Sequence, residues 1–206
     1  MTKKQLVDEL TSQGVLKNRA VKKAFIVIDR ADFVLPQYLE AAYFNRPLPI
    51  GFGQTISQPY TVAFMLDLLD VKKGDNVLEI GAGSGWQTAL LAYLVGRQGR
   101  VIALERIPEL VELTKSNLAQ YPICYRTSTL IHGDGSLGYP SGAPYGKIIA
   151  AASAQAIPEQ WKEQLKIGGR IVAPVKDSIV VIDKISRDQY QQTEHWGFVF
   201  VPLIKG

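Results

Sequence analysis

The chain has 206 residues, 47% hydrophobic and 20% charged, which suits one α/β domain with a full core. Its formal charge of +4 is scattered over pairs such as Lys3-Lys4, Lys22-Lys23 and Lys72-Lys73, a pattern of solvated helix faces, so no nucleic-acid partner is expected. The single cysteine (Cys124), the two distant histidines (His132 and His195), the lack of an eighteen-residue apolar run and the lack of an apolar segment after Met1-Thr2-Lys3-Lys4-Gln5 argue against a disulfide framework, a metal site, a membrane span and a secretory leader, leaving the cytoplasm as the expected compartment.

Leu6, Val7 and Leu10 share one helical face over 2–13, with Gly14 as a stop. Val21, Ala24, Phe25 and Ile28 mark a second helix over 18–28. The segment 32–56 holds Pro36, Pro47, Pro49, Gly51 and Gly53 and reads as loop with a short helical piece. Its aromatics, Phe33, Tyr38, Tyr43, Phe44 and Phe52, argue for order and for a functional loop. Ser57 as N-cap, with Pro59 in the first turn, opens a helix that ends near Asp70. Strands and helices then alternate: strand 76–80, helix 86–95, strand 100–104 and helix 108–119. A loop containing Pro122 leads to strand 128–132, followed by strand 147–151 and a short helix near 158–164. Gly168-Gly169 turns into strand 170–174, and apolar runs 178–184 and 196–202 form a hairpin across Ser186-Arg187-Asp188. This order predicts an α/β fold: a doubly wound, mostly parallel seven-stranded sheet with N-terminal helices and an antiparallel edge strand near the C-terminus. A single domain over 1–206 is expected: a helical and loop subregion at 1–56, a cofactor-binding core at 57–175 and C-terminal strands at 176–206.

The first strand of the sheet runs into Glu79-Ile80-Gly81-Ala82-Gly83-Ser84-Gly85-Trp86. Glycines here allow a tight turn and close approach of a ligand to the backbone, at the end of the strand where open α/β sheets bind ligands. A dinucleotide site favours Gly-x-Gly-x-x-Gly, but Trp86 stands where its last glycine would be. Glu79 suits an ammonium or sulfonium ligand better than a pyrophosphate. Glu105, at the end of the next strand, is spaced to accept two ribose hydroxyls; alone it would cap the helix opened by Pro108. Arg106 follows where some dinucleotide enzymes hold a 2′-phosphate, which Glu105 would repel. Asp134, followed by Gly135, is placed either to accept an adenine amino group or to make an Asx turn between two glycines.

Glu79, Gly81, Ala82, Gly83, Gly85, Trp86, Glu105, Arg106, Asp134 and Gly135 form the candidate cofactor set. The pattern over 72–175 resembles class I S-adenosylmethionine-dependent methyltransferases. A closer resemblance lies upstream. Pro47-Leu48-Pro49-Ile50-Gly51-Phe52-Gly53-Gln54-Thr55-Ile56-Ser57-Gln58-Pro59 is similar to the signature of protein-L-isoaspartate O-methyltransferases. Glu105-Arg106-Ile107-Pro108-Glu109-Leu110, Gly133-Asp134-Gly135-Ser136-Leu137-Gly138 and Leu165-Lys166-Ile167-Gly168-Gly169-Arg170 continue the match, which spans nearly the whole chain. The resemblance implies S-adenosyl-L-methionine as methyl donor and isoaspartyl proteins and peptides as partners, and a monomer is expected. It places Thr55, Ile56 and Ser57 at the substrate, with Ser57 as the catalytic residue touching its carboxylate. The local alternative is that Ser57 only caps its helix.

The implied reaction is an in-line methyl transfer to the α-carboxylate of an L-isoaspartyl residue, whose ester then closes to a succinimide and reopens in part to aspartate. A carboxylate nucleophile is already ionised at neutral pH, so no general base is required, and none is visible. Positioning can supply roughly 7–11 kcal/mol. Three positions depart from the family pattern: Gly146 follows Pro144-Tyr145, the next strand ends Ala150-Ala151-Ala152-Ser153-Ala154-Gln155, and Lys176 follows Pro174-Val175. These leave open a relative that methylates another carboxylate or a nucleic acid, or one that only binds the cofactor.

Overall fold

The apolar stripe Leu6, Val7 and Leu10 forms the buried face of α1 (Lys3–Ser12) in a computed structural model that describes residues 1–204. Lys205 and Gly206, the end of the C-terminal segment expected at 176–206, lie outside the described residues. A capping box opens α1: Thr2 Oγ1 accepts from Gln5 N at 3.2 Å and Gln5 Oε1 accepts from Thr2 N at 2.7 Å. Asn18 caps α2 (Arg19–Val27) by accepting from Ala20 N at 2.8 Å.

The segment expected as loop is more ordered than its prolines suggest. Short 3₁₀ turns at 30–33 and 36–41 lead into an antiparallel hairpin, β1 (Leu48–Gly51) with β2 (Gln54–Ile56). Leu48, Ile50 and Ile56 turn into the core while Phe52 and Gly53 make the turn with φ of 55° and 70°. A four-residue strand containing Pro49 is too short for its alternation to register in the sequence. Ser57 is not the cap of α3 (Pro59–Leu69): Gln58 holds the N-cap position without a side-chain bond, and Asn45 Oδ1 accepts from Tyr60 N at 3.0 Å instead. The helix ends as expected, at Asp70 in the left-handed region.

The remaining elements are β3 (Asn76–Ile80), α4 (Trp86–Val95), β4 (Arg100–Glu105), α5 (Pro108–Ala119), α6 (Pro122–Thr127), β5 (Ser128–His132), β6 (Tyr145–Ala150), α7 (Glu159–Gln164), β7 (Leu165–Val175), β8 (Ser178–Lys184) and β9 (Tyr190–Trp196). The expected Pro122 loop is thus the short helix α6, with the proline in its first turn, where no N–H is needed. The seven-stranded sheet has the order β5-β4-β3-β6-β7-β8-β9. Strands β3 to β7 pair in parallel, and β8 pairs antiparallel with both β7 and β9.

The larger differences from the sequence reading lie in the C-terminal strands. Gly168-Gly169 lies inside β7 as an irregularity, the register stepping from Tyr145↔Leu165 to Lys147↔Arg170. The last strand is the polar stretch 190–196 rather than the apolar run 196–202, although the hairpin does turn at 186–189, with Ile185 N donating to Gln189 O at 2.9 Å. An exposed edge strand carries little hydropathy signal, and the apolar run serves another purpose, described below.

Central strands are covered on both faces, which explains their unbroken apolar runs. Val77, Val101, Ala103, Ile149 and Val172 face a core shared with α1 to α4, while Leu78, Ile80, Ile102, Leu104, Ile148 and Ile171 face a second core with Trp161 at its centre. The chain leaves β3 toward β4 and β5, then returns to β6 on the opposite side of β3. The crevice at the carboxyl ends of β3, β4 and β6 is therefore the topological switch point. Trp161 is fully buried and its indole N–H donates to Gly135 O at 2.9 Å, tying α7 to the loop after β5. Trp161→Ala should cost roughly 3–5 kcal/mol, read as a lower urea midpoint.

Candidate active site

Beyond Ile80 the backbone must turn sharply under the crevice. Gly81, Gly83 and Gly85 do this at φ of 86°, 60° and 91°, values costly for any residue with a Cβ. The loop is clamped rather than loose. Gly81 N and Ala82 N both donate to Leu104 O, at 2.8 and 3.1 Å. From α5, the Thr114 hydroxyl donates to Gly83 O at 2.8 Å and the Asn117 amide to Ser84 O at 2.9 Å. A Cβ on Gly85 would lie 2.9 Å from Thr114 Cγ2, so helix and loop close on each other through the missing side chain.

Glu105 completes the clamp. Its Oε2 accepts from Gly83 N at 2.9 Å, and its Oε1 accepts from Arg106 N at 2.8 Å and Ile107 N at 3.0 Å. The capping role and the ligand role are therefore compatible: three N–H groups fix the carboxylate at the crevice wall, and a carboxylate has about four acceptor sites.

The crevice encloses a cavity of about 390 Å³, within the roughly 300–1,000 Å³ of small-molecule sites. One wall comprises Gly81 to Ser84, Trp86, Glu105, Arg106, Ile107, Gly133 and Gly135. The facing wall is the end of the β1–β2 hairpin and the start of α3: Gln54, Thr55, Ile56, Ser57, Gln58 and Thr61. Thus Gly81, Ala82, Gly83, Trp86, Glu105, Arg106 and Gly135 meet Thr55, Ile56 and Ser57 across one cavity. Three expected cofactor residues stand back from it. Gly85 braces α5. Asp134 Oδ1 accepts from Ser136 N at 2.8 Å, as in the Asx-turn reading, and leaves Gly133 and Gly135 to form the wall.

Glu79, also expected among the cofactor residues, is the third. It is fully buried behind the loop, accepting from Gln87 Nε2 at 3.1 Å and from the Thr88 hydroxyl at 2.6 Å. It anchors the first turn of α4, and so the loop, from behind. Burial pushes its carboxyl up to about 8, and the nearby Glu105 adds to the shift.

Sequence reading missed two contributions. Arg30 is 2% exposed; it donates to carbonyls behind the hairpin wall and lies over the Trp86 ring of the glycine-loop wall. A lone cation in a loop sequence gives no sign of such a role. The second is the tail, where Val199, Phe200, Val201, Pro202, Leu203 and Ile204 line the cavity. The apolar run 196–202 was the visible signal. The tail runs parallel to the segment after β6, with Ser153 N donating to Val201 O and Leu203 N to Ser153 O, both at 2.8 Å. Phe198 stacks on Phe64 of α3 with ring centroids 5.2 Å apart.

The departures from the family pattern now have places. Ala151 and Ala152 line the cavity without hydroxyls, and the Ser153 hydroxyl donates to Lys176 O at 3.0 Å instead of facing it. Lys176 makes the β7–β8 turn at φ 54°. Gly146 sits near the start of β6, at the end of the strand away from the cavity, where a Cβ would approach Lys166 Nζ at 3.2 Å.

The raised Glu79 value has a definite sign. The folded chain holds this proton more tightly than the unfolded chain, whose carboxyl titrates near 4.5. The stability it contributes is complete below that value and is lost as pH rises through about 8. Glu79→Gln, which carries no titrating proton, should therefore gain urea resistance relative to the parent as pH rises from about 5 to 9. A difference that stays constant across this range would contradict a protonated Glu79.

The protein-L-isoaspartate(D-aspartate) O-methyltransferase family profile matches residues 1–206. Protein-L-isoaspartate O-methyltransferase 1 of Archaeoglobus fulgidus is 46% identical over 200 residues, covering 97% of this chain and 89% of its own. The Methanopyrus kandleri protein-L-isoaspartate O-methyltransferase is 42% identical over 206 residues, covering 98% of this chain and 91% of its own. Among solved structures, a protein-L-isoaspartate O-methyltransferase superposes with a TM-score of 0.88 at 27% identity, over 98% of this chain and 65% of that longer one. A Plasmodium falciparum protein crystallised with S-adenosyl-L-homocysteine shares the fold at 24% identity, with a TM-score of 0.89 over the whole of both chains. The chain belongs to the protein-L-isoaspartate(D-aspartate) O-methyltransferase family, enzymes that use S-adenosylmethionine.

Proposed function

We propose that the cavity divides the methyl transfer between its two walls: the Gly81–Trp86 loop with Glu105 holds the donor, and Thr55, Ile56 and Ser57 hold the isoaspartyl side chain. The observation that carries this reading is that both groups line one cavity. The donor wall suits S-adenosylmethionine. Gly81 and Gly83 let a ligand lie against the backbone, and Glu105 is fixed where it can accept ribose hydroxyls. Gly133 and Gly135 leave a flat wall for an adenine, while Arg106 borders the opening.

When bound, S-adenosylmethionine supplies a sulfonium-activated methyl group, so the protein's task is alignment. Ser57 is the assigned catalytic residue. The Asn45 side chain takes over the capping of α3, and the Ser57 hydroxyl, half-buried at the cavity, has no partner among the described residues. It can donate to a substrate carboxylate without giving up a cap. The acceptor carboxylate is ionised at neutral pH, so no residue need remove a proton. Hairpin and tail close over the reacting atoms and exclude water, which strengthens electrostatic interactions inside.

No helix among the described residues is long and apolar enough to cross a membrane. The scattered positive charge and the single buried cysteine support a monomer working in the cytoplasm, away from nucleic acid and membrane, on damaged proteins and peptides.

The test offers labelled methyl donor with an isoaspartyl peptide and its aspartyl twin. Base-labile label on the isoaspartyl peptide alone is expected; label on both, or on neither while the donor binds by calorimetry, would overturn the acceptor assignment. Ser57→Ala should lower kcat/KM by about 10- to 100-fold, the loss of one charge-assisted hydrogen bond, with an unchanged melting temperature. Full activity would remove Ser57 from the mechanism. Glu105→Gln turns an amide toward backbone N–H donors and should weaken S-adenosylhomocysteine binding by at least about 10-fold in calorimetry.

A further inference from the structure

Arg30 is buried as a cation, and none of its partners among the described residues is a carboxylate. Its Nη1 donates to Ala42 O at 2.5 Å and Phe44 O at 3.5 Å. Its Nη2 donates to Arg46 O at 3.0 Å and Ser57 O at 3.1 Å. The guanidinium lies over the Trp86 indole, 5.3 Å from the ring centroid, while Phe25 of α2 meets the same ring edge-on at 5.3 Å. Burial without a counter-ion disfavours a charge. Four carbonyls and an aromatic face offset part of that cost, while Nε is buried without a partner among the described residues.

The partners show what the arrangement achieves. Three of the carbonyls belong to 42–46, the stretch leading into the β1–β2 hairpin, and the fourth belongs to Ser57, on the acceptor wall. Trp86 opens α4 directly after the glycine loop and lies on the donor wall. One planar cation thus touches the backs of both walls. We infer that Arg30 is a positioning residue that sets the spacing between the Ser57 corner and the donor loop, and so governs the alignment of methyl transfer without touching either substrate. In-line transfer is sensitive to this spacing, since a 1 Å error can cost about 100-fold in rate. Lysine cannot replace the group, because a point charge on a flexible stem does not present a rigid planar fork to separate carbonyls while covering a ring.

The inference rests on the division of the cavity proposed above. Arg30 holds the Ser57 carbonyl and not its hydroxyl, so the two ideas can fail separately. Ser57→Ala leaves the Arg30 contact intact, and full activity there beside impaired Arg30 variants would discard only the hydroxyl's role.

The experiment compares Arg30→Lys and Arg30→Met with the parent in kcat, KM for an isoaspartyl peptide, S-adenosylhomocysteine affinity by calorimetry, and melting temperature. Both variants should keep cofactor affinity within about threefold, while kcat falls by about 10-fold in the lysine variant and about 100-fold in the methionine variant. Added guanidinium ion at non-denaturing concentration should restore part of the kcat of Arg30→Met and leave the parent unchanged. If Arg30→Met does not fold, the lysine variant decides alone. Parental kcat in Arg30→Lys overturns the inference. So does a kcat loss in either variant that only tracks lost cofactor affinity or a smaller folded fraction.

Discussion

The carboxylate of Glu105 is the point at which sheet, loop and helix meet. It ends β4, accepts N–H groups from Gly83 in the loop after β3, and accepts those of Arg106 and Ile107 just before α5. The neighbouring Leu104 carbonyl takes the N–H groups of Gly81 and Ala82. A loop of alternating glycines would by itself have high conformational entropy. Here β4 binds its N–H groups, and Thr114 and Asn117 of α5 bind its carbonyls, so the glycines provide close approach without mobility. This wall of the cavity is therefore held in shape by the fold itself, and a preformed wall lowers the ordering cost of binding a ligand.

The two acids that frame the glycine loop divide this work by burial. Glu105 lines the cavity, and three backbone N–H groups hold its carboxyl oxygens. Glu79 lies behind the loop with one amide and one hydroxyl as partners, and its desolvation outweighs both. The sequence context of Glu79, directly before the glycines, suggests a ligand contact. Its position in the strand turns its side chain to the α4 side, where it anchors Gln87 and Thr88 instead.

Similar reasoning explains which parts of the fold were legible. Strands β3 and β5 and helices α4 and α5 match the residue bounds read from the chain, because apolar runs punctuated by Gly and Pro give strong local signals. The β1–β2 hairpin was hidden by Pro47 and Pro49, and β9 by its polarity as an exposed edge. The apolar run 196–202 was visible but misread, since hydropathy reports burial and not strand pairing: these residues end the sheet and turn back to line the cavity. The glycine loop, singled out by its own pattern, and the Thr55–Ser57 segment, singled out by the family resemblance, both line the cavity. The part played by Arg30 could not be read from the chain, because its four carbonyl partners lie 12 to 27 residues away and carbonyls have no sequence signature.

The departures from the family pattern then separate into two kinds. Gly146, near the start of β6, is remote from the cavity, and a side chain there would meet Lys166. Ala151 and Ala152 belong to the cavity's third side, and the adjoining Ser153 pairs with the tail through its backbone and with Lys176 through its hydroxyl. Replacing a hydroxyl at the wall by alanine removes a possible partner for the substrate but keeps the backbone pairing that seats Val201 and Leu203. The tail excludes water by its apolar side chains, and that needs the seat and not the hydroxyl. The Ser57 corner, whose carbonyl accepts from Arg30, shares the facing wall with Gln54, Thr55, Gln58 and Thr61. Alignment and exclusion of water are all that methyl transfer to an ionised oxygen requires, because such a nucleophile has no proton to lose.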